Sequence, residues 1–270
     1  MTGASLALEL PPPLETPLLT SGSIWVKAEQ RQRTGSVKYR MVYAKLRKAL
    51  QDGAIPSRTR LIEVTSGSTG VALAYAGTTL GLRVELHAYS SMDPDKRTRI
   101  TEYGADLVVH PATTPVGDLL DLVRARLREG GYWHLGQFER DSTIGAYEEL
   151  GRELVGQLHD RNARPEFFFC PVGTGGLIQG LGSLLRRTFP TLRIVAVEPA
   201  PGEAIEGTRN TELCRLQNDP YDVQFPDEVL RVQRSRKKWS LGDVILGESG
   251  SAAYELASRR QRSAVIVAPD

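Results

Sequence analysis

The sequence contains few cysteines and no long hydrophobic run. Only Cys170 and Cys214 occur among its 270 residues, and they lack the spacing of metal ligands or of a disulfide framework. We therefore expect no metal site, a reducing compartment, and a buried Cys170 within its apolar run. No apolar stretch is long enough to span a bilayer, and residues 1–13 lack the pattern of a signal peptide. These absences predict a cytoplasmic protein with no membrane partner.

An excess of charge of one sign is also missing. The chain has 34 Lys and Arg residues against 32 Asp and Glu residues, a formal net charge of +2. The most basic run, residues 231–238, is more typical of a solvated loop or helix face than of a phosphate-binding patch. We therefore expect no nucleic-acid partner.

Apolar runs alternate with amphipathic segments along most of the chain. The predicted strands are 24–28, 61–64, 83–88, 107–110, 132–135, 166–171, 193–197 and 264–268. The predicted helices are 39–51, 70–80, 93–103, 117–128, 144–158, 176–189 and 250–260. Residues 1–17 are predicted to be an extended arm, and residues 199–245 to be loops with short elements. This alternation indicates βαβ units and mostly parallel sheets, and 270 residues suit one large domain or two smaller ones.

Three turns rich in glycine and hydroxyl side chains precede predicted helices. They are residues 65–70 (Thr-Ser-Gly-Ser-Thr-Gly), 173–176 (Gly-Thr-Gly-Gly) and 247–251 (Gly-Glu-Ser-Gly-Ser). Such turns can bind a carboxylate or a phosphate, because the first N–H groups of a helix have no partner within the helix. Each turn alone is equally typical of an ordinary βα connection, and none matches a P-loop or a dinucleotide-binding motif closely.

The order of these motifs is more specific than any one of them. Residues 35–38 (Gly-Ser-Val-Lys), followed by the three turns, resemble the pyridoxal phosphate (PLP)-dependent enzymes of fold type II, in particular the cysteine synthase and cystathionine β-synthase group. Matching stretches also occur at 15–18, 26–29, 103–106, 137–138 and 197–199. The resemblance covers nearly the whole chain.

The resemblance implies an α/β fold with two three-layer αβα domains, mostly parallel sheets, and pyridoxal 5'-phosphate in the interdomain cleft. Residues 32–140 are expected to form the smaller, mobile domain. Residues 1–31 and 141–270 are expected to form the larger, phosphate-binding domain. A homodimer is expected, as is usual in the family.

The resemblance also assigns roles to individual residues. Lys38 matches the lysine that forms a Schiff base with the cofactor and then acts as a base at the substrate Cα. Ser249 matches the serine facing the pyridine nitrogen. The loop expected to hold the cofactor phosphate comprises Gly173, Thr174, Gly175, Gly176 and Leu177. The residues expected to bind the substrate carboxylate are Thr65, Ser66, Gly67, Thr69 and Gln137.

Four positions depart from the family pattern. Ser68 replaces an asparagine that lies beside the ring hydroxyl of the cofactor, and Tyr39 replaces the aspartate after the lysine. Leu177 replaces a threonine that contacts the phosphate. Glu248 replaces a serine, so its carboxylate is expected either near the cofactor or in solvent. These departures bear on the substrate more than on the cofactor.

The expected activity is β-replacement on an activated serine or cysteine through an aminoacrylate intermediate. The first alternative is a β-elimination lyase such as a cysteine desulfhydrase, because some sulfide-eliminating relatives also have serine at the position of Ser68. The second is a catalytically weak relative that acts as a binding partner. Residues 205–210 are either a loop that selects the second substrate or an exposed turn with a charged tip.

Overall fold

The computed structural model describes residues 9–214, 221–234 and 237–270. Two compact units are present: unit 1 is Met1–Pro13 with Lys38–Gln137, and unit 2 is Leu14–Val37 with Phe138–Asp270. Three parts of the predicted segments lie outside the described residues: 1–8 of the extended arm predicted at 1–17, 215–220 of the loops predicted at 199–245, and 235–236 of the basic run. The predicted domain boundaries at 32–140 stay a prediction.

Strands and helices alternate along the described chain. The strands are β1 (Leu18–Ser21), β2 (Ile24–Ala28), β3 (Arg60–Thr65), β4 (Arg83–Tyr89), β5 (Asp106–His110), β6 (Tyr132–His134), β7 (Phe167–Pro171), β8 (Arg193–Pro199), β9 (Glu228–Val232), β10 (Ser240–Leu241), β11 (Val244–Ile245) and β12 (Ala264–Ala268). The helices are α1 (Lys38–Gln51), α2 (Ser68–Leu80), α3 (Pro94–Glu102), α4 (Val116–Glu129), α5 (Arg140–Gly145), α6 (Glu148–His159), α7 (Gly176–Thr188) and α8 (Glu248–Arg260). A 3₁₀ turn covers Glu29–Arg31.

Unit 1 contains a four-stranded sheet in the order β5-β4-β3-β6, with parallel pairings. Helix α2 covers one face, where Gly77 approaches Val84 so closely that an added Cβ would lie 2.1 Å from Val84 Cγ2. Helix α4 covers the other face, where Leu119 and Val123 pack on Ile62 and Val64. The unit is therefore a three-layer αβα arrangement, as expected when parallel strands bury both faces.

Unit 2 contains a six-stranded sheet in the order β1-β2-β12-β7-β8-β9. Only the β1–β2 pairing is antiparallel among the pairings described for this sheet. Helix α7 lies on one face, where Gly182 approaches Ile194. On the other face, Ala253 and Ala257 of α8 share a buried cluster with Val26 and Ile266. Unit 2 is therefore also built in three layers.

The α/β class and the mostly parallel sheets are confirmed. The strands predicted at 24–28 and 264–268 are present with those bounds. Cys170 is a buried free cysteine, as predicted.

The single helix predicted at 144–158 is wrong, because the chain forms α5 and α6 with a break at Ala146 and Tyr147. The Tyr147 side chain is fully buried, and Gly180 of α7 approaches the Ile144 carbonyl so closely that an added Cβ would lie 2.6 Å from it. Close packing of α7 on this turn, rather than local periodicity, therefore determines where α5 ends.

Residues 199–245 contain short elements, as predicted. One of them, β9, was not predicted individually and pairs in parallel with β8. Its side chains are mixed, with Glu228 and Arg231 among them, and they range from half-buried to exposed. An edge strand of this kind lacks the apolar run that marks a central parallel strand.

Candidate active site

Lys38 is the first residue of α1 and its side chain is partly buried. The turn that precedes it depends on Gly35, whose φ of +71° is in the left-handed region. The Gly35 N–H donates to the Gln32 carbonyl (2.8 Å), and the Val37 N–H donates to the Pro269 carbonyl (2.8 Å). Backbone hydrogen bonds on both sides of Ser36 therefore fix the conformation of the turn that leads into Lys38.

Thr65 organises the predicted carboxylate loop between β3 and α2. Its Oγ1 accepts hydrogen bonds from the N–H groups of Gly67 (3.0 Å) and Gly70 (2.9 Å). Gly67, the residue before α2, has a φ of +151°, a conformation that side chains disfavour. Its neighbour Ser66 is exposed. The Thr65 hydroxyl therefore stabilises the conformation of the loop and does not point into solvent.

Gln137 is tied to the same loop. Its Oε1 accepts from Thr69 Oγ1 (2.8 Å), its Nε2 donates to the Val64 carbonyl (2.5 Å), and its backbone N–H donates to Glu63 Oε2 (2.9 Å). Thr69 and Gln137 are both buried. Unit 1 thus brings together the residues predicted to bind a carboxylate, although Gln137 is 68 positions after Thr69.

The start of α2 suits an anion. Its first turn, all of which is described, contains no acidic residue, and Gly67 before it has no side chain of its own to act as a cap. Thr65 Oγ1 already accepts from the Gly70 N–H in this turn. The N–H groups of a helix start together carry a partial positive charge. A substrate carboxylate has the charge and the acceptor atoms that such a turn binds.

Lys96 is a neighbour of this turn that sequence reasoning missed. Its Nζ donates to Ser68 Oγ (2.8 Å), and a Cβ on Gly67 would lie 2.7 Å from Lys96 Cδ. The Lys96 side chain therefore packs over Gly67, and its ammonium group binds the hydroxyl of Ser68, the residue that replaces the family's asparagine. The Asp93 side chain caps the start of α3 by accepting from the Lys96 N–H (3.1 Å). This helix-capping pattern indicates where α3 begins, but it does not indicate that Lys96 reaches Ser68.

The predicted phosphate loop lies in unit 2, between β7 and α7. No side chain fits at three of its glycines. An added Cβ at Gly173 would lie 2.5 Å from the Gly207 carbonyl oxygen. At Gly175 it would lie 2.4 Å from Tyr221 Cβ, and at Gly176 it would lie 2.4 Å from Thr143 Cγ2. Gly175 also has a φ of +86°. This close packing fixes a backbone that would otherwise be flexible.

The helix start beyond this loop has the character of an anion site. The Gly176 N–H donates to Thr174 Oγ1 (3.4 Å), within the loop. In this fully described segment no side chain caps Gly175, and the first turn of α7 has no acidic residue. Leu177 is buried and offers no polar side-chain atom, so any contact from it to a phosphate must use its backbone.

Ser249 lies in the first turn of α8 and is buried. Its Oγ donates to Asp270 Oδ1 (3.1 Å). The preceding residue, Glu248, accepts from the Arg234 guanidinium and from the Glu206 N–H (3.2 Å). The Glu248 carboxylate therefore links Arg234 to the backbone at Glu206. It is not simply directed into solvent, which was one of the two expected positions.

Tyr39, which follows the lysine, is a packing residue. It is fully buried, its hydroxyl donates to the Pro11 carbonyl, and its ring lies edge-on to Tyr75 at a centroid distance of 5.6 Å. Its replacement of the family's aspartate is explained by the core of unit 1.

These groups fit pyridoxal phosphate. The cofactor needs an amine for its aldehyde, a helix start for its phosphate, and a polar neighbour for its ring nitrogen. Lys38, the turn at 173–176 and Ser249 supply these chemistries. No group of His, Cys, Asp and Glu residues suited to a metal ion is found within the described ranges. Over the same ranges, no helix is long and apolar enough to cross a bilayer.

The fold and these turns define a class of cofactor-dependent α/β enzymes. The profile of the family described as "Pyridoxal-phosphate dependent enzyme" matches residues 10–241. The chain belongs to this family, which confirms the predicted family of pyridoxal phosphate-dependent enzymes and the predicted cofactor.

Among proteins of known function, cysteine synthases are similar to this chain in sequence. A cysteine synthase of Staphylococcus aureus is 30% identical over 188 residues, which are 69% of this chain and 60% of that relative. The aligned part is therefore less than two thirds of the relative's length.

Solved structures agree with the fold. A hydrogen sulfide-producing enzyme from Fusobacterium nucleatum has a TM-score of 0.82 at 24% identity and covers 95% of this chain and 85% of its own. O-acetylserine sulfhydrylase isoform 3 from Entamoeba histolytica has a TM-score of 0.80 at 24% identity, with coverage of 94% and 85%. At this level of identity, the likeness concerns the fold.

Proposed function

We propose that this protein catalyses a pyridoxal phosphate-dependent β-replacement on an activated serine or cysteine, as a cysteine synthase does. The observation that carries the proposal is the hydrogen-bonded group of Thr65, Thr69 and Gln137 around the start of α2, in the same unit as Lys38. This group suits the carboxylate of an amino acid. Similarity to the S. aureus cysteine synthase supports the same reaction class.

Each group then has a definite task. Bound pyridoxal phosphate supplies an electron sink for the charge that develops at the substrate Cα. The amine of Lys38 would act as the base for the Cα proton, and the start of α2 would bind the carboxylate and so orient the substrate. The turn at 173–176 would hold the phosphate, and Ser249 would supply the polar neighbour of the ring nitrogen.

β-Elimination, as in a cysteine desulfhydrase, is the second candidate. Ser68, bound by Lys96, is the observation that favours it. A serine hydroxyl is shorter than the usual asparagine amide and has one donor rather than two. A contact from Ser68 to the cofactor would therefore be weaker than one from asparagine, which would favour elimination over replacement.

One assay separates the two reactions. The protein loaded with pyridoxal phosphate is given O-acetylserine with sulfide, and separately cysteine alone, while cysteine, sulfide and pyruvate are measured. The proposal expects cysteine from O-acetylserine at a rate well above that of pyruvate formation. Sulfide and pyruvate from cysteine, without synthesis from O-acetylserine, would establish the lyase instead.

A catalytically weak binding partner is the third possibility. A protein that binds pyridoxal phosphate but gives no product in either assay would support it. Lys38→Ala is the matched control, because it removes the proposed base while leaving both anion-binding turns intact.

The proposal extends to assembly and location. The family resemblance supports a homodimer in the cytoplasm, acting on a small amino acid without a membrane or nucleic-acid partner. Sedimentation of the loaded protein tests the dimer: a sedimentation coefficient typical of a single 29.7 kDa chain would contradict it.

A further inference from the structure

Arg209 lies behind the glycine turn at 173–176. Its Nε donates to the Gly173 carbonyl (2.6 Å) and its Nη1 donates to the Cys214 carbonyl (2.9 Å). Its own backbone N–H donates to the Val172 carbonyl (2.8 Å). One arginine thus makes two consecutive contacts with the segment that connects β7 to the glycine turn.

The segment around Arg209, residues 205–210, is anchored by buried residues at both ends, whereas Glu206 and Gly207 between them are exposed. Ile205 and Asn210 are buried, and Asn210 Nδ2 donates to the Pro199 carbonyl (3.0 Å). The Gly207 carbonyl approaches Gly173 so closely that a Cβ there would lie 2.5 Å away. The backbone on either side of Arg209 is therefore fixed beside the glycine turn, and the guanidinium itself bonds to the carbonyls of Gly173 and Cys214.

The contact with Gly173 orients the next peptide group. In a planar trans peptide, the carbonyl of Gly173 and the N–H of Thr174 point in opposite directions. Since Arg209 holds the carbonyl, the Thr174 N–H points to the opposite side of the turn. The guanidinium also adds positive potential beside the start of α7.

We propose that Arg209 is a positioning residue for phosphate binding: it fixes the orientation of the turn at 173–176 and makes this site selective for the phosphorylated form of the cofactor. The proposal rests on the proposed function, because it takes the turn at 173–176 as the site of the cofactor phosphate. It assigns residues 205–210 to cofactor retention rather than to selection of the second substrate.

The test compares pyridoxal phosphate with pyridoxal, which lacks the phosphate. Dissociation constants of both are measured for wild type, Arg209→Met and Arg209→Lys, with the cofactor removed beforehand. For Arg209→Met we expect the pyridoxal phosphate constant to rise about tenfold, the size expected from one charge-assisted hydrogen bond. The pyridoxal constant should change by less than about twofold, since no phosphate is involved. Arg209→Lys should recover part of the loss, because it keeps the charge.

Arg186→Met is the matched control. Arg186 also donates to a backbone carbonyl, that of Phe225 (3.3 Å), and it lies towards the other end of α7. This variant should leave the ratio of the two dissociation constants unchanged.

Parallel losses for both ligands in Arg209→Met, or no loss for either, would overturn the proposal. Should Arg209→Met fail to fold, Arg209→Lys and Arg209→Gln, which keep a donor but lose the geometry of the guanidinium, are compared with the wild type. An unchanged ratio of the pyridoxal phosphate and pyridoxal dissociation constants in both variants would then overturn the proposal. A wild type that binds no pyridoxal phosphate would instead contradict the proposed function itself.

Discussion

At the scale of single residues, the positions that depart from the family pattern have different explanations. Tyr39 belongs to the core of unit 1, and Glu248 links Arg234 to the Glu206 backbone. Ser68 alone among these three lies at a helix start suited to an anion, where Lys96 binds its hydroxyl. Because an ammonium group can only donate, Ser68 Oγ accepts there, and the hydroxyl proton is directed elsewhere.

We predict that Lys96→Met raises the KM for the amino-acid substrate about tenfold, because a charge near the carboxylate turn is lost. The kcat should change little, since the lysine is not proposed to take part in proton transfer. Steady-state kinetics with the loaded protein measures both parameters. Lys48→Met, which removes an exposed lysine of α1 that pairs with Asp52, is the control. An unchanged KM with a lower kcat would contradict this interpretation.

Sequence reasoning found the residues of this region that lie in one continuous motif. Thr65, Gly67 and Thr69 lie in one short turn that follows a strand and opens a helix, whereas Gln137 was predicted only through the family resemblance. Lys96 was not predicted, and Arg209 was predicted only as part of the loop at 205–210, without its contact with Gly173. Each reaches a turn from a distant segment, and a surface lysine or arginine has no local pattern that distinguishes it from a solvated charge.

At the scale of elements, α7 was predicted correctly, but its effect on the neighbouring helices α5 and α6 was not. The helix was found because apolar residues follow the glycine turn. The break between α5 and α6 was missed because it depends on Gly180, where an added Cβ would lie 2.6 Å from the Ile144 carbonyl and 3.2 Å from Tyr147 Cβ. Such a contact between helices is not encoded in the periodicity of either one.

Gly180→Ala should therefore destabilise the protein by about 1–3 kcal/mol, the usual cost of overpacking a close contact. Gly156→Ala in α6 is the matched control, because nothing lies within 4 Å of its added Cβ. That variant should instead stabilise by about 0.4–1 kcal/mol, since alanine restricts the unfolded chain. Chemical denaturation measures both values, and equal effects of the two substitutions would refute the packing argument.

At the scale of the whole molecule, some motifs that carry the family resemblance are structural. Buried Lys27, within the matching stretch 26–29, donates to the Thr16 carbonyl (2.5 Å) and to Gln157 Oε1 (2.8 Å). Thr16, within the stretch 15–18, donates to buried Glu29 (2.5 Å). A salt bridge to Glu153 completes this network. The resemblance in these stretches therefore reflects the fold of unit 2, whereas the three turns contain the residues that we propose to bind the cofactor and the substrate.

A second buried network should make stability depend on pH. His87 is buried, contacts His110 (3.0 Å) and hydrogen-bonds to Glu85 (3.1 Å). Burial lowers the pKa of His87 below its usual value of 6.5, although Glu85 opposes this shift and Arg126 adds to it. For Glu85, burial acts to raise the pKa, but hydrogen bonds from Arg60, His87 and Tyr132 outweigh it and leave the pKa below 4.5.

Both shifts have the same consequence. Below the ordinary pKa of each group, the unfolded chain binds more protons than the folded one, so acid favours unfolding. The free energy of unfolding should fall as the pH decreases from 7 to 5 through His87, and fall further below pH 4.5 through Glu85.

We predict that His87→Gln makes the decline between pH 7 and pH 5 shallower, because the variant lacks the titrating ring. Denaturation at a series of pH values measures the slope. His159→Gln, at an exposed histidine, is the control and should keep the wild-type slope. Equal slopes for wild type and His87→Gln would show that His87 does not cause the decline.

The central claim is that Lys38 anchors the cofactor, and covalent labelling tests it most directly. The protein loaded with pyridoxal phosphate is reduced with borohydride and digested, and the labelled peptide is identified by mass spectrometry. We predict the cofactor mass on Lys38, and loss of the visible absorbance band in a folded Lys38→Ala variant. A label on another lysine, or a Lys38→Ala protein that keeps the band, would contradict the account.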